Sequence, residues 1–457
     1  MQLNTILAKI FDSINLKAKV TKNFQIKNKI KPFNKKIYVP GDKSLSIRWV
    51  LFSSLANGKS KAYNLLLSDD VLATIKAVRK LGIKVKLNKN YCIVFGNGLD
   101  GFKYKKNIII DSENSGTLGR LIMGVLIDTP HKIKIIGDKS LSKRDFNRIA
   151  EPLKRFGAKI NLTNNGLPLT IEGNKNLNPI KYLENRGSAQ CKSSVIFAGL
   201  KTKGKTLIKA KKSRDHSELL CKHLGLPVKV KKNRNYDFIE VKKAKKIKTL
   251  NYKIPSDISS AAFFIVLTTL ADNSKLLIKN VNTNSSRIGV ITILNKMGAN
   301  IKFKNKRNYK GEAIADIIVN SSKQLKAINC SSKLNSQAID EFLIIFLVAA
   351  KSRGVSYFKD IGELNQKESP RLEWGSKILN KMGIKTITTD TSIKIFGNPN
   401  LKIKKNIVIN EYLKDHRVFM TSVIAALTFG GNWNIHDKDS IQTSFPNFLN
   451  ILNGLKK

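Results

Sequence analysis

The sequence predicts an α/β protein of two domains, each assembled from three copies of one helix-and-strand unit. Two observations predict it. An apolar residue followed by glycine and a strand-like run recurs six times, and a strongly apolar helix type that opens with polar residues also recurs six times. A chain of 457 residues accommodates six such units in two domains of ordinary size.

The glycine signature stands at Leu81-Gly82-Ile83, Phe156-Gly157-Ala158, Leu224-Gly225-Leu226, Met297-Gly298-Ala299 and Met382-Gly383-Ile384, with a final copy at Leu452-Asn453-Gly454-Leu455. Glycine just past a helix end supplies the left-handed position that stops the helix, and an alternating strand follows. The glycines lie roughly 70–85 residues apart, which is longer than the repeats of ordinary solenoids. Each unit therefore holds two helices and several strands.

The apolar helices are predicted to begin near Ser44, Ser115, Ser188, Ser259, Ala338 and His416. Most pass through a Gly or Asn turn into a short strand such as Thr206-Leu207-Ile208. Apolar on nearly every side, they belong in a core. None has the roughly 18 uncharged residues of a membrane span. If all six point their N-termini the same way, two facing domains would line one cleft with the positive ends of helix dipoles. Such ends repel one another until an anion enters, so a small, highly charged anion is the expected ligand and closure the expected response.

Charge and cysteine usage narrow the setting. The formal net charge is +51, but the lysines are spread evenly, with no basic tail and no helix coated on one face. That pattern reads as a solvated surface, with no specific nucleic acid and no membrane as partner. Cys92, Cys191, Cys221 and Cys330 have no paired spacing, which argues against zinc and disulfides and suits a reducing cytoplasm. Residues 1–25 are basic and weakly amphipathic and are expected to be an extension without a secretory signal.

The chemistry-bearing residues gather at the predicted helix starts. Pro40-Gly41-Asp42-Lys43-Ser44-Leu45-Ser46-Ile47-Arg48 sets a turn, a lysine, two serines and an arginine at the mouth of an apolar helix, a seat for phosphate or carboxylate. An ordinary capped helix with two surface cations would look the same in isolation. Further such groups are Asn114-Ser115-Gly116-Thr117 with Arg120, the cationic loop Gly137 to Arg144, Ser188-Ala189-Gln190-Cys191-Lys192, and Ser213-Arg214-Asp215-His216-Ser217-Glu218. Asp340, expected to start a buried helix, Lys367-Glu368-Ser369-Pro370-Arg371 and Asp415-His416-Arg417 complete the set.

In this order, and with the closing Thr443-Ser444-Phe445-Pro446, these segments resemble the 5-enolpyruvylshikimate-3-phosphate synthase family from about Lys36 to Leu455. The resemblance implies two inverse α/β domains of the enolpyruvyl transferase type, with six βαβαββ units in all. One domain would span 43–254, and the other would combine 26–42 with 255–457. The chain would cross between them near Pro40–Lys43 and near Tyr252–Asp257. It implies transfer of the enolpyruvyl group of phosphoenolpyruvate to the 5-hydroxyl of shikimate 3-phosphate, with release of phosphate. No metal or organic cofactor is implied, and a cytoplasmic monomer is expected.

The resemblance also implies roles. Lys43, Ser44, Arg48, Ser188, Ala189, Gln190, Ser213, Arg214, Asp340 and Lys367 would hold shikimate 3-phosphate. Lys43, Gly116, Arg144, Gln190, Arg371 and Arg417 would hold phosphoenolpyruvate. Asp340 would take the hydroxyl proton, Glu368 would exchange a proton with the methylene carbon, and Lys43 would join them in catalysis. Independent chemistry agrees, because the reaction needs an acid, a base and cations for two phosphates and a carboxylate.

Four positions depart from the family pattern: Ile47 for a frequent His, Glu113 for a Gly beside the anion turn, Pro370 for an Asp, and Asp439 for a lysine of one branch. The Ser-Ala-Gln-x-Lys and Arg-Asp-His-Ser-Glu segments resemble the other branch, often tolerant of glyphosate, although Gly116 is retained. The related UDP-N-acetylglucosamine enolpyruvyl transferases use a loop cysteine, and the loop Gly137 to Arg144 has none. RNA 3′-phosphate cyclases share similar units, but no nucleotidylated-His motif is present. A basic nucleic-acid-binding protein would carry aromatic-studded basic patches, whereas the aromatics here sit mainly in apolar helices.

Overall fold

The structure is a computed structural model and describes residues 23–456. The extension expected over 1–25 therefore falls mostly outside the described residues. Its last two positions open the strand Phe24–Ile26, which pairs antiparallel with Trp433–Ile435.

Among the described residues, six small sheets carry the six units. Five are four-stranded and one is three-stranded. In each four-stranded sheet a parallel pair is extended by an antiparallel hairpin. Lys181–Glu184 thus lies parallel to Lys205–Lys211, which pairs with Tyr236–Lys242 and through it with Val228–Lys232. Two sheets borrow their first strand from elsewhere in the chain. Tyr252–Lys253 completes the sheet of Asn57–Tyr63, and Asn34–Ile37 completes the sheet of Lys275–Asn282.

The hairpins follow from the glycines. Gly82, Gly157, Gly225, Gly298 and Gly383 all have positive φ and each ends an amphipathic helix. Gly82 shows why no other residue serves there: at φ +86° an added Cβ would lie 2.2 Å from the Lys103 carbonyl oxygen. The sixth copy behaves differently. Gly454 lies inside the helix Phe448–Lys456 and does not stop it.

Short polar side chains set the helix starts. Asp42, Ser115, Ser188, Asp257 and Asp415 each accept a backbone N–H of the first turn. All thirteen residues of Ile258–Leu270 and all fourteen of His416–Phe429 are buried. The fifth apolar helix departs from expectation. The pattern predicts a start near Ala338, but Asn335–Ala338 forms one turn, the ladder breaks, and the main helix is Phe342–Lys351. Asp340 sits in the break and does not start a helix.

Two separate apolar cores result. One runs from Leu45 to Ile254, and the other joins Ile26–Val39 to residues from Ile258 to Leu455. Where the chain passes between them, its two strands run side by side. Gly41 bridges Ser256 antiparallel, Asp42 N donates to the Pro255 carbonyl at 2.8 Å, and Asp257 N donates to the Pro40 carbonyl at 2.9 Å. Cys92, Cys191, Cys221 and Cys330 are buried and unpaired. Among the described residues no helix is long and apolar enough to cross a membrane.

Candidate active site

Between the two cores lies a cleft of about 1050 Å³. Every residue assigned a role from sequence lines it: Lys43, Ser44, Arg48, Gly116, Arg144, Ser188, Ala189, Gln190, Ser213, Arg214, Asp340, Lys367, Glu368, Arg371 and Arg417. Fifteen lysines and arginines face six carboxylates there. Low-dielectric walls and one sign of charge focus a field that draws in anions.

On the first-domain side, the helix Lys43–Ser54 carries Lys43 on its first turn and Arg48 one turn on. Arg48 is buried and held by neutral groups: Nε donates to Ser217 Oγ at 2.8 Å and Nη2 to Ser193 Oγ at 3.0 Å. Burial pulls its pKa down to about 10, with Glu218 opposing. Held by hydroxyls, the guanidinium keeps its charge uncompensated for a ligand. Lys43 Nζ pairs with Asp70 at 2.8 Å, and burial pushes the Asp70 carboxyl above its ordinary value despite that partner.

The helix Gly116–Val125 brings Arg120 beside Gln190. Arg120 Nη1 donates to Gln190 Oε1 at 2.7 Å, and Gln190 Nε2 donates to Thr117 Oγ1 at 3.0 Å. Burial, then the neighbouring Arg148 and Arg144, lower the Arg120 guanidinium to about 10. The buried Nε groups of Arg120, Arg144 and Arg214 have no hydrogen-bond partner among the described residues, which leaves these guanidiniums donors to spare for an anion.

The second domain supplies the carboxylates. Asp340 Oδ2 accepts from Arg214 Nη2 at 2.5 Å, and its Oδ1 lies 3.6 Å from Lys367 and 3.5 Å from Arg371. Burial alone would raise Asp340, but Arg214, Lys367, Arg417 and Arg371 outweigh it and hold the carboxyl well below the usual range. Glu368 is likewise held well down. Burial opposes, and Arg371, Arg144 and Lys43 prevail. Burial pulls the Lys367 ammonium below its ordinary value, against Asp340. His416, beside Glu368, is pushed down to about 3 chiefly by burial and is neutral at working pH.

The expected repulsion across the cleft is met by the protein's own carboxylates. Arg214–Asp340, Arg144–Glu368 at 3.4 Å and Arg148–Glu363 at 3.3 Å all join one domain to the other. A pH test follows. Both Asp340 and Glu368 sit below their ordinary values, so the stability they contribute is fully present above about pH 4 and is lost as pH falls. The melting temperature of the free protein should drop below about pH 4, and Glu368→Gln should flatten that drop. An equally steep drop in the variant would count against the assignment.

The departures from the family pattern are local. Ile47 is fully buried. Glu113 turns away at φ +50° and pairs with Lys76 at 2.8 Å. Pro370 precedes the helix Arg371–Lys381, and Asp415 supplies the carboxylate beside Arg371, accepting from Nε at 2.8 Å and Nη2 at 3.2 Å. Asp439 is absent from the cleft lining and pairs at the surface with Lys414 at 3.1 Å, both 58% exposed. Outside the cleft, that charge does not face an anion bound in it.

Sequence reasoning missed Asp70, Arg148, Ser259 and Arg287, which also line the cleft. Arg148 stands four residues after Arg144, in the first turn of the helix Asn147–Arg155, and its place next to that cationic loop was a signal that was available. The others are single residues with partners far along the chain.

A cation-lined cleft between two three-unit α/β domains is the arrangement of enolpyruvyl transferases. The enolpyruvyl transferase NikO from Streptomyces tendae shares this fold with a TM-score of 0.72, covering 94% of this chain and 96% of its own at 13% identity. The chain matches EPSP synthase (3-phosphoshikimate 1-carboxyvinyltransferase) over residues 27–452 and belongs to that family. Its relatives include 3-phosphoshikimate 1-carboxyvinyltransferases from Ruthia magnifica subsp. Calyptogena magnifica, 41% identical over 91% of this chain and 94% of the relative, and from Caldicellulosiruptor bescii, 38% identical over 92% and 96%. A solved EPSP synthase from Acinetobacter baumannii superposes with a TM-score of 0.83 at 34% identity, covering 95% of this chain and 98% of its own.

Proposed function

We propose that the cleft transfers the enolpyruvyl group of phosphoenolpyruvate to the 5-hydroxyl of shikimate 3-phosphate, releasing phosphate. The observation that carries this reading is that all fifteen residues assigned from sequence line one cavity. Lys43, Ser44, Arg48, Ser188, Ala189, Gln190, Ser213, Arg214 and Lys367 hold shikimate 3-phosphate. Lys43, Gly116, Arg144, Gln190, Arg371 and Arg417 hold phosphoenolpyruvate.

Asp340 takes the 5-hydroxyl proton as the oxygen attacks the substituted carbon of phosphoenolpyruvate. Glu368 gives a proton to the methylene carbon, and a tetrahedral intermediate forms. The carbon–phosphate oxygen bond then breaks, the phosphate leaves with the proton that Asp340 took, a methyl proton returns to Glu368, and the double bond re-forms. The free protein holds Glu368 ionised by surrounding it with cations. A bound phosphate and carboxylate share those same cations, which lifts the Glu368 pKa toward a proton-carrying value.

The domain limits proposed are 43–254 for one domain and 26–42 with 255–457 for the other, supported by the two apolar cores. A cytoplasmic monomer is proposed, and four unpaired thiols suit a reducing compartment. Membership of the glyphosate-tolerant-like branch now rests on the Ser188–Lys192 and Arg214–Glu218 segments. The Asp439 charge no longer supports it.

The test is phosphate release with both substrates, each omitted in turn. No release with both present would sink the reading. Gly116 gives a second measurement. A Cβ there would lie 3.1 Å from Arg120 Nη1 and 3.2 Å from Arg144 Nη1. Gly116→Ala should therefore shift both guanidiniums and raise the KM for phosphoenolpyruvate by about tenfold. An unchanged KM would remove Gly116 from that subsite.

A further inference from the structure

A buried guanidinium in the cleft wall also joins the two domains. Arg287 precedes the helix Gly289–Lys296 and is 1% exposed. Its Nη1 donates to Asp42 Oδ2 at 2.9 Å and lies 3.1 Å from His216 Nε2. Its Nη2 donates to Ser259 Oγ at 2.8 Å and to Asp257 Oδ1 at 3.2 Å.

Asp42 and Asp257 are the N-caps of the helices Lys43–Ser54 and Ile258–Leu270, one in each core. Asp42 Oδ1 accepts from Leu45 N at 2.9 Å, and Asp257 accepts from Ser259 N at 2.8 Å and from Lys43 N at 3.2 Å. Two buried cap carboxylates side by side repel, and a planar fork between them fixes both their separation and their angle. Each cap stands at the start of its helix, so the fork holds the two helix starts together.

The contacts continue to the reacting groups. Ser259 Oγ donates to Glu341 Oε1, and Glu341 is the residue after Asp340. On the other side His216 Nδ1 lies 2.7 Å from Glu312 Oε1, which ties the Arg214–His216 segment into the second domain. Asn284 Nδ2 adds a bond to Asp215 Oδ1 at 2.9 Å.

We propose that Arg287 is a positioning residue that sets the closed angle between the domains, aligning the Lys43 side of the cleft with the Asp340 side. The proposal rests on the function given above. A purely structural role would cost stability and leave the turnover of folded protein unchanged.

The experiment uses the full chain with Arg287→Lys and Arg287→Gln. Shikimate 3-phosphate binding is read by calorimetry, its effect on radius of gyration by small-angle scattering, and kcat and KM by phosphate release. An ammonium cannot fork to both caps. Arg287→Lys should therefore fold, bind shikimate 3-phosphate within about tenfold of wild type, compact less on binding it, and lose at least about thirtyfold in kcat. A kcat and KM within twofold of wild type would overturn the proposal.

Pairing Arg287→Gln with Asp257→Asn removes the unbalanced charge. Stability should return while kcat stays low, whereas recovery of both would overturn the positioning role. If Arg287→Gln does not fold, Arg287→Lys carries the test alone. If wild-type protein releases no phosphate, the functional reading fails instead.

Discussion

Asp340→Asn and Glu368→Gln should each lower kcat by at least about a hundredfold, the usual scale for a lost general base or acid. The expected pattern is specific. Asp340 also balances Arg214, Lys367 and Arg371. Its amide form frees those cations for substrate, so the KM values should stay level or fall while kcat collapses. A binding residue would show the reverse. Steady-state kinetics with circular dichroism as a folding control decide the matter. Near-normal turnover in both variants would remove the two carboxylates from the mechanism.

Arg371→Gln should unfold the protein more readily than any other single change in the cleft. Arg371 is 2% exposed and bonds Asp415, Glu368 and Asp340 at once. Burial opposes its charge, but Asp415 and Glu368 overcome that and hold its pKa above the ordinary value. Removing it leaves buried carboxylates without their cation, a loss of about 3–5 kcal/mol. Denaturant unfolding at neutral pH measures it, and a loss below about 1 kcal/mol would mean that the cluster is far better hydrated than its burial indicates.

The repeat was legible because it is local. A glycine stop and a capped apolar helix each depend on residues a few positions apart, and five of the six glycines adopt the left-handed form they imply. Most of the cleft residues were legible because they stand near a helix start or in a short cationic loop. Three features were not. The apolar run around Ala338 reads as one helix, but Asp340 and Glu341 are bonded to Arg214, Ser259 and Arg417 from distant segments of the chain, and the ladder breaks there. Asp439 holds a family position by spacing alone, while its side chain pairs with Lys414 outside the cleft. Arg287 is a lone charge in a turn, and its partner Asp42 lies 245 residues away.

The strand borrowed by the second domain bears on how the chain is made. Asn34–Ile37 pairs with Lys275–Asn282, so it must wait while roughly 240 residues are synthesised. At about 5–20 residues per second that is on the order of ten to fifty seconds. Throughout that interval the nascent strand has no partner in its own sheet, while the inserted domain folds beside it. Lys27, Lys29, Lys31, Lys35 and Lys36 crowd this stretch. Like charges of that density keep an unpaired strand from zipping onto the same segment of neighbouring polysomal chains.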